Sequence, residues 1–223
     1  MKSPLLVLAI CLAGLCQSYA LNFRFLAWDD NVAARKLGVV SGENVVPIED
    51  LHPLKRTPDV RVAVGENGVF VRVLDRPDPS GKPTDFKLTM AQNIANPLVI
   101  ILPDKESPAG LKGFVVEDNT EKFPWGSFRI LNVTGGDLGM IYGEKRVLLP
   151  ATWTPVDIVP ADDSAKQVHI YEPADLENPM ASYAWKPETT MRRFIIILPG
   201  EDPRLGRLAL KDIVEIRPDE DGN

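Results

Sequence analysis

His52, His169, six serines beyond residue 20 and a scatter of carboxylate pairs are the residues of this chain best able to do chemistry, and their spacing argues against most of it. Zinc or copper needs nitrogen or sulfur ligands that converge. His52 sits before Pro53, however, and His169 lies in an alternating Val168-His169-Ile170 run. The only cysteines, Cys11 and Cys16, fall in the N-terminal segment, so no metal site and no cofactor is expected. None of Ser41, Ser80, Ser107, Ser127, Ser164 and Ser182 occupies a Gly-x-Ser-x-Gly elbow, and no catalytic residue is assigned. Asp29-Asp30, Glu49-Asp50, Asp162-Asp163 and Glu172 read as solvated turn acids. A pair acting on a glycosidic bond would be gathered from separate strands and leave no mark in the spacing. Thr134-Gly135-Gly136-Asp137-Leu138-Gly139 lacks the Lys-Ser/Thr ending of a phosphate loop and leads into a strand, so it reads as a turn. Asn132-Val133-Thr134 satisfies the glycosylation sequon.

The aromatic residues are better suited to binding. An indole presents a large flat face and one donor, and partly exposed indoles stack on sugar rings or anchor proteins. Core packing is the default for the four tryptophans, Trp28, Trp125, Trp153 and Trp185. Phe123 and Trp125 around Pro124, and Trp153 in Ala151-Thr152-Trp153-Thr154-Pro155, are the candidate binding residues. The stretch 119–126 reads as a short linker whose two aromatics pack on a domain face and limit movement; exposed, they would form an aromatic patch.

The N-terminus carries Lys2, an apolar run over 5–15 and Ser18-Tyr19-Ala20. That pattern predicts a secretory signal over residues 1–20, cut after Ala20, and hence a protein exported to the periplasm or the extracellular space. Such a chain keeps no cysteine, so apolar burial rather than disulfides must hold it. No other segment is long and apolar enough for a membrane span. Of 25 basic and 31 acidic residues only Lys2 precedes residue 21, leaving a balance of about −7. An acidic chain lacks the basic face that nucleic acid requires. Residues 218–223 read as an acidic, frayed tail.

The elements that must position any site come in two sets. Phe23-Arg24-Phe25-Leu26 returns as Phe128-Arg129-Ile130-Leu131, and Val99-Ile100-Ile101-Leu102-Pro103 returns as Ile195-Ile196-Ile197-Leu198-Pro199. The first pair is 105 residues apart and the second 96, so the second copy is shorter by nine. The proline-rich loop 75–82 is an expected place for some of the extra length. Short apolar runs between turn clusters predict strands at 22–28, 37–40, 44–48, 60–64, 69–74, 86–90, 97–102 and 111–116. A second series follows at 127–133, 138–142, 146–149, 167–171, 181–186, 193–198 and 208–216. Asn67-Gly68 and Gly143-Glu144 suit tight hairpins. The expected fold is all-β, with two tandem β-sandwich domains, immunoglobulin-like or similar, over 21–118 and 127–217. Arg24 and Arg129 hold matching positions and are read as structural, pairing with carboxylates or reaching the rim. The runs 99–102 and 194–198 break strand alternation and need cover on both faces. The sister domain, a flanking loop or a second molecule is expected to cover them, which leaves homo-oligomerisation open.

These features point to a non-enzymatic binding or structural protein of the cell envelope, meeting a protein or glycan through β faces, edges or the interdomain junction. The competing expectation is an exported polysaccharide-directed hydrolase. In architecture alone the plan resembles periplasmic chaperones that complete pilus subunits by strand donation. No motif of that family is present, and no residue is carried over from it.

Overall fold

The computed structural model describes residues 19–202, 204 and 206–218, so the expected signal over residues 1–20, apart from Tyr19 and Ala20, and the expected tail over 218–223, apart from Pro218, lie outside the described residues. The first half runs β1 (Tyr19–Ala27), α1 (Asp30–Ala33), β2 (Leu37–Ser41), β3 (Asn44–Pro47), β4 (Val60–Val64), β5 (Val69–Val73), β6 (Thr84–Leu88), β7 (Pro97–Pro103) and β8 (Leu111–Glu117). The second runs β9 (Phe128–Asn132), β10 (Leu138–Tyr142), β11 (Lys145–Leu149), β12 (Val156–Ile158), β13 (Lys166–Tyr171), β14 (Ala181–Trp185), β15 (Met191–Pro199) and β16 (Leu208–Ile216).

Each half is a sandwich of two four-stranded sheets, and the strand order is the same in both. The sheets are β4-β1-β7-β8 over β3-β2-β5-β6, and β12-β9-β15-β16 over β11-β10-β13-β14. Even the uncommon feature is repeated: the first strand pairs parallel to the seventh, Phe25 opposite Val99 in one half and Ile130 opposite Ile195 in the other. The sequence repeat is therefore a structural one, position for position.

The registers show where the second half is shorter. The offset between matching residues falls from 105 (Phe23 and Phe128) to 101 (Gly38 and Gly139), then to 98 (Val60 and Ile158). It falls again from 99 (Val71 and Ile170) to 95 (Phe86 and Ala181). The first half thus carries its extra residues at α1, in the β3–β4 connection and in the β5–β6 hairpin, which holds the loop 75–82. α1 is a single turn that begins where the Asp29 side chain accepts from Val32 N, an N-cap satisfying one free amide.

One local expectation needs correction, and one strand was not expected. Gly65-Glu66-Asn67-Gly68 closes no two-stranded hairpin, because β4 and β5 belong to different sheets and the turn carries the chain between layers. Only Gly68 there has a positive φ, of 85°. β12, three residues between prolines, was too short to register as an apolar run. Gly143, at φ 58°, does turn the β10–β11 hairpin.

Strand alternation divides the apolar residues among three cores. Phe23, Phe25, Val99 and Ile101 point into the first sandwich, and Phe128, Ile130, Ile195 and Ile197 into the second. The intervening residues, Leu26, Leu98 and Ile100 of one half and Leu131, Phe194 and Ile196 of the other, meet in a third core between the halves. The continuous apolar strands are thus covered on their outer faces by the sister half. Both halves use the same face, and contacts reciprocate: Arg24 on β1 reaches Glu215 on β16, while its counterpart Arg129 on β9 reaches the Glu117 carbonyl on β8. This is the pattern of an isologous interface, here built within one chain.

Close packing within the first sandwich fixes Gly113 on β8. A Cβ there would lie 2.3 Å from Leu88 Cδ2 and 3.2 Å from Val99 Cγ1, both buried. Gly113→Ala should therefore lower the urea midpoint, with a loss of about 1–3 kcal/mol of the overpacking kind. A midpoint at or above wild type would show that Leu88 repacks freely.

Candidate functional site

The seam between the halves carries two rims related by the repeat, and they have opposite fates. One lies where β16 meets the segment leading into β4, and it is filled by ion pairs. Arg56 donates to the two Asp118 carboxylate oxygens at 2.8 and 3.2 Å, and Arg24 to the same carboxylate at 2.6 Å. Arg192 donates from Nε to Glu215 at 2.8 Å and to the carbonyls of Phe123 and Asp118 at 2.9 and 3.1 Å. The Asp118 side chain has no exposure at all, and those of Arg56 and Arg192 have 4 % and 1 %. Burial pushes the Asp118 carboxyl up, but Arg56, Arg192 and Arg24 together hold it below the usual carboxylate range.

At the matching rim, where β8 meets the segment leading into β12, the seam is open. A groove of about 510 Å³ runs there between residues 91–94 and 114–117 of the first half, Lys122 of the linker, and Arg129, Asp157 and residues 152–155 of the second half. The register explains the difference. Position for position the counterpart of Arg56, four residues before Val60, is Thr154, four before Ile158. The counterpart of Arg192, which pairs with Glu215 across β15 and β16, is Asn96. Two arginines that plug one rim are thus replaced at the other by a short hydroxyl and a short amide.

The groove has an aromatic wall and self-neutralised charges. Trp153 is partly exposed, stacks on Trp28 with ring centroids 5.9 Å apart and meets Phe114 edge-on at 5.2 Å. Its backbone is left-handed, φ 57°, as is that of Asn93 on the facing wall, φ 60°. Such conformations in residues other than glycine cost energy that surrounding structure must offset. Arg129 forks onto Asp157 at 2.7 and 2.6 Å. Glu117 accepts from Lys122 and from Asn119 Nδ2, and the Lys122 hydrogen bond holds its carboxyl below the ordinary range.

The residues singled out by sequence fall in different places. Trp153 lines the groove. Phe123 is fully buried between the guanidinium groups of Arg129 and Arg192, 4.6 and 4.7 Å from its ring, and offers no face to a ligand. Trp125 is partly exposed with Arg192 over its ring at 5.2 Å, beside a smaller hollow of about 240 Å³ near Val159 and Pro160. Arg24 and Arg129 each engage a carboxylate, Arg24 in the ion cluster and Arg129 at the groove edge. The sequon asparagine Asn132 is buried, its amide donating to the carbonyls of Gly136 and Leu149, so the folded chain presents no acceptor there. Ser127 is buried against the Pro124 carbonyl, and His169 bonds Ser182 across neighbouring strands. Among the described residues no three histidine, aspartate or glutamate side chains converge as a metal site, and no helix is long and apolar enough to cross a membrane.

Sequence reasoning missed Asp118, Arg56, Arg192 and Glu117, for which no motif exists; the only available signal was that arginines near strand ends recur. The chain matches no protein-family model and no curated relative.

Proposed function

We propose that the protein is a non-enzymatic binding protein, exported to the cell envelope or beyond, that takes its ligand in the groove at the interdomain seam. The observation that carries this reading is the open rim: one seam position is sealed by arginines while its repeat counterpart holds a partly exposed indole over a cavity. A cavity of this size is within the range of ligand sites, roughly 300–1,000 Å³. Export rests on the N-terminal pattern of Lys2, the apolar run and Ala20.

The chemistry of the groove favours binding over hydrolysis. A general acid needs a carboxyl whose proton is held near neutral pH. Glu117 is instead held ionised by Lys122, and Asp157 is locked by both arms of Arg129. Affinity capture from a native envelope extract tests the reading. Wild-type protein should retain a partner that Trp153→Ala loses and Trp125→Ala keeps. A partner held equally by all three removes the groove from consideration. Turnover of a glycan panel that is abolished by Glu117→Gln would replace binding with catalysis.

A further inference from the structure

We infer that the ligand of the seam groove is an uncharged carbohydrate, a neutral sugar ring laid on Trp153, an assignment that rests on reading the groove as the binding site. Charge decides between ligand classes. Every ionic group on the groove wall is already matched within the wall: Arg129 with Asp157 on one side, Lys122 with Glu117 on the other. Arg129 is neutralised by Asp157 through Nε and Nη2, donates from Nη1 to the Glu117 carbonyl, and has a side chain only 5 % exposed. An anionic ligand such as a sulfated or uronic saccharide needs an unmatched cation, and a charged peptide needs complementary unpaired groups. The groove supplies neither.

What remains for a ligand is an aromatic edge and short neutral polar groups. Trp153 and Phe114 form the apolar side, and Thr152, Thr154, Gln92 and Asn93 bring hydroxyls and amides to the rim. A pyranose has the matching duality, an apolar C–H face and a girdle of hydroxyls that donate and accept. The indole lies in a strained backbone segment and is braced by Trp28, so its plane is set before a ligand arrives. Preorganisation of that kind lowers the cost of binding.

The sealed rim suggests its own control. Thr154→Arg places at the open rim the residue type that closes the other, and Thr154 is exposed and belongs to none of the three cores. Titration calorimetry would use maltotriose, cellotriose and triacetylchitotriose as neutral probes. Trigalacturonate and a heparin-derived hexasaccharide serve as anionic ones, with a mixed peptide library beside them. The expected result is binding of at least one neutral trisaccharide, weakened roughly tenfold or more by Trp153→Ala and by Thr154→Arg. Binding of only anionic saccharides or peptides, weakened by the same two variants, overturns the carbohydrate assignment while leaving the groove as the site. Probes that bind equally to wild type and to the folded Thr154→Arg variant, or do not bind at all, overturn both.

Discussion

Replacing Asp118 by alanine is expected to cost about 3–5 kcal/mol of folding free energy, because removal of one partner leaves three arginines to share the single Glu215 carboxylate. Arg56, Arg24 and Arg192 all converge on this fully buried carboxylate. Arg56 already has one nitrogen, Nη1, with no hydrogen-bond partner. Deleting Asp118 removes both hydrogen bonds of that guanidinium and leaves it only the Glu215 carboxylate, 3.3 Å from Nε, while the hydrophobic seam around it gives water poor access. Asp118→Asn keeps the shape and loses the charge, so it should fall between alanine and wild type. Urea titration with circular dichroism measures both. Equal midpoints for all three proteins would mean that the cluster relaxes outward and contributes nothing.

The same carboxylate sets an acid limit. Its folded pKa is depressed by the three arginines against the opposing push of burial. A depressed pKa means that the folded state binds the proton less readily than the unfolded one. The stabilisation is thus fully present above the unfolded value, about 4 for an aspartate, and is lost as pH falls below it toward the folded value. Wild type should lose stability steeply below about pH 4, and Asp118→Asn should show a flatter acid limb over the same window. Glu117 titrates in the same direction through its Lys122 bond, but that pair is solvent-exposed and adds little.

Much of the architecture was legible because β structure writes its period into the chain. Alternating or short apolar runs between turn clusters placed all but one strand, and the repeated Phe-Arg-x-Leu and Ile-Leu-Pro runs marked first and seventh strands that pair parallel in each half. The breakdown of alternation at 99–102 and 194–198 signalled a second buried face, although only the structure names the sister half as its cover. The ion cluster was illegible for a physical reason. Asp118 lies 62 residues from Arg56 and 74 from Arg192, and a long-range pair between common residue types leaves no pattern. Its neighbours Glu117 and Lys122 made the stretch read as a charged linker, and nothing in that reading marked Asp118 and Asn119 as buried. The groove was half legible: the Thr- and Pro-rich setting of Trp153 marked it as accessible, but the contrast between Arg56 and Thr154 has meaning only once the strand registers align them.

The alternation along β15 gives the sharpest test of the three-core arrangement. Ile195 and Ile196 are adjacent, equally buried and chemically identical, yet Ile195 points into the second sandwich and Ile196 into the seam. An aspartate at either site buries an unpaired carboxylate, costing at least about 3–5 kcal/mol. The consequences should differ in kind. Ile195→Asp disrupts the core that holds the second half together, so that half should lose its native signal. Ile196→Asp leaves both sandwich cores whole and breaks only the contact that couples them. Wild type should unfold in one calorimetric transition, and Ile196→Asp in two, with faster proteolytic cutting within 119–126 as Phe123 loses its cover. If Ile196→Asp instead behaves like Ile195→Asp, neither half stands without the other, and the seam is part of one undivided core.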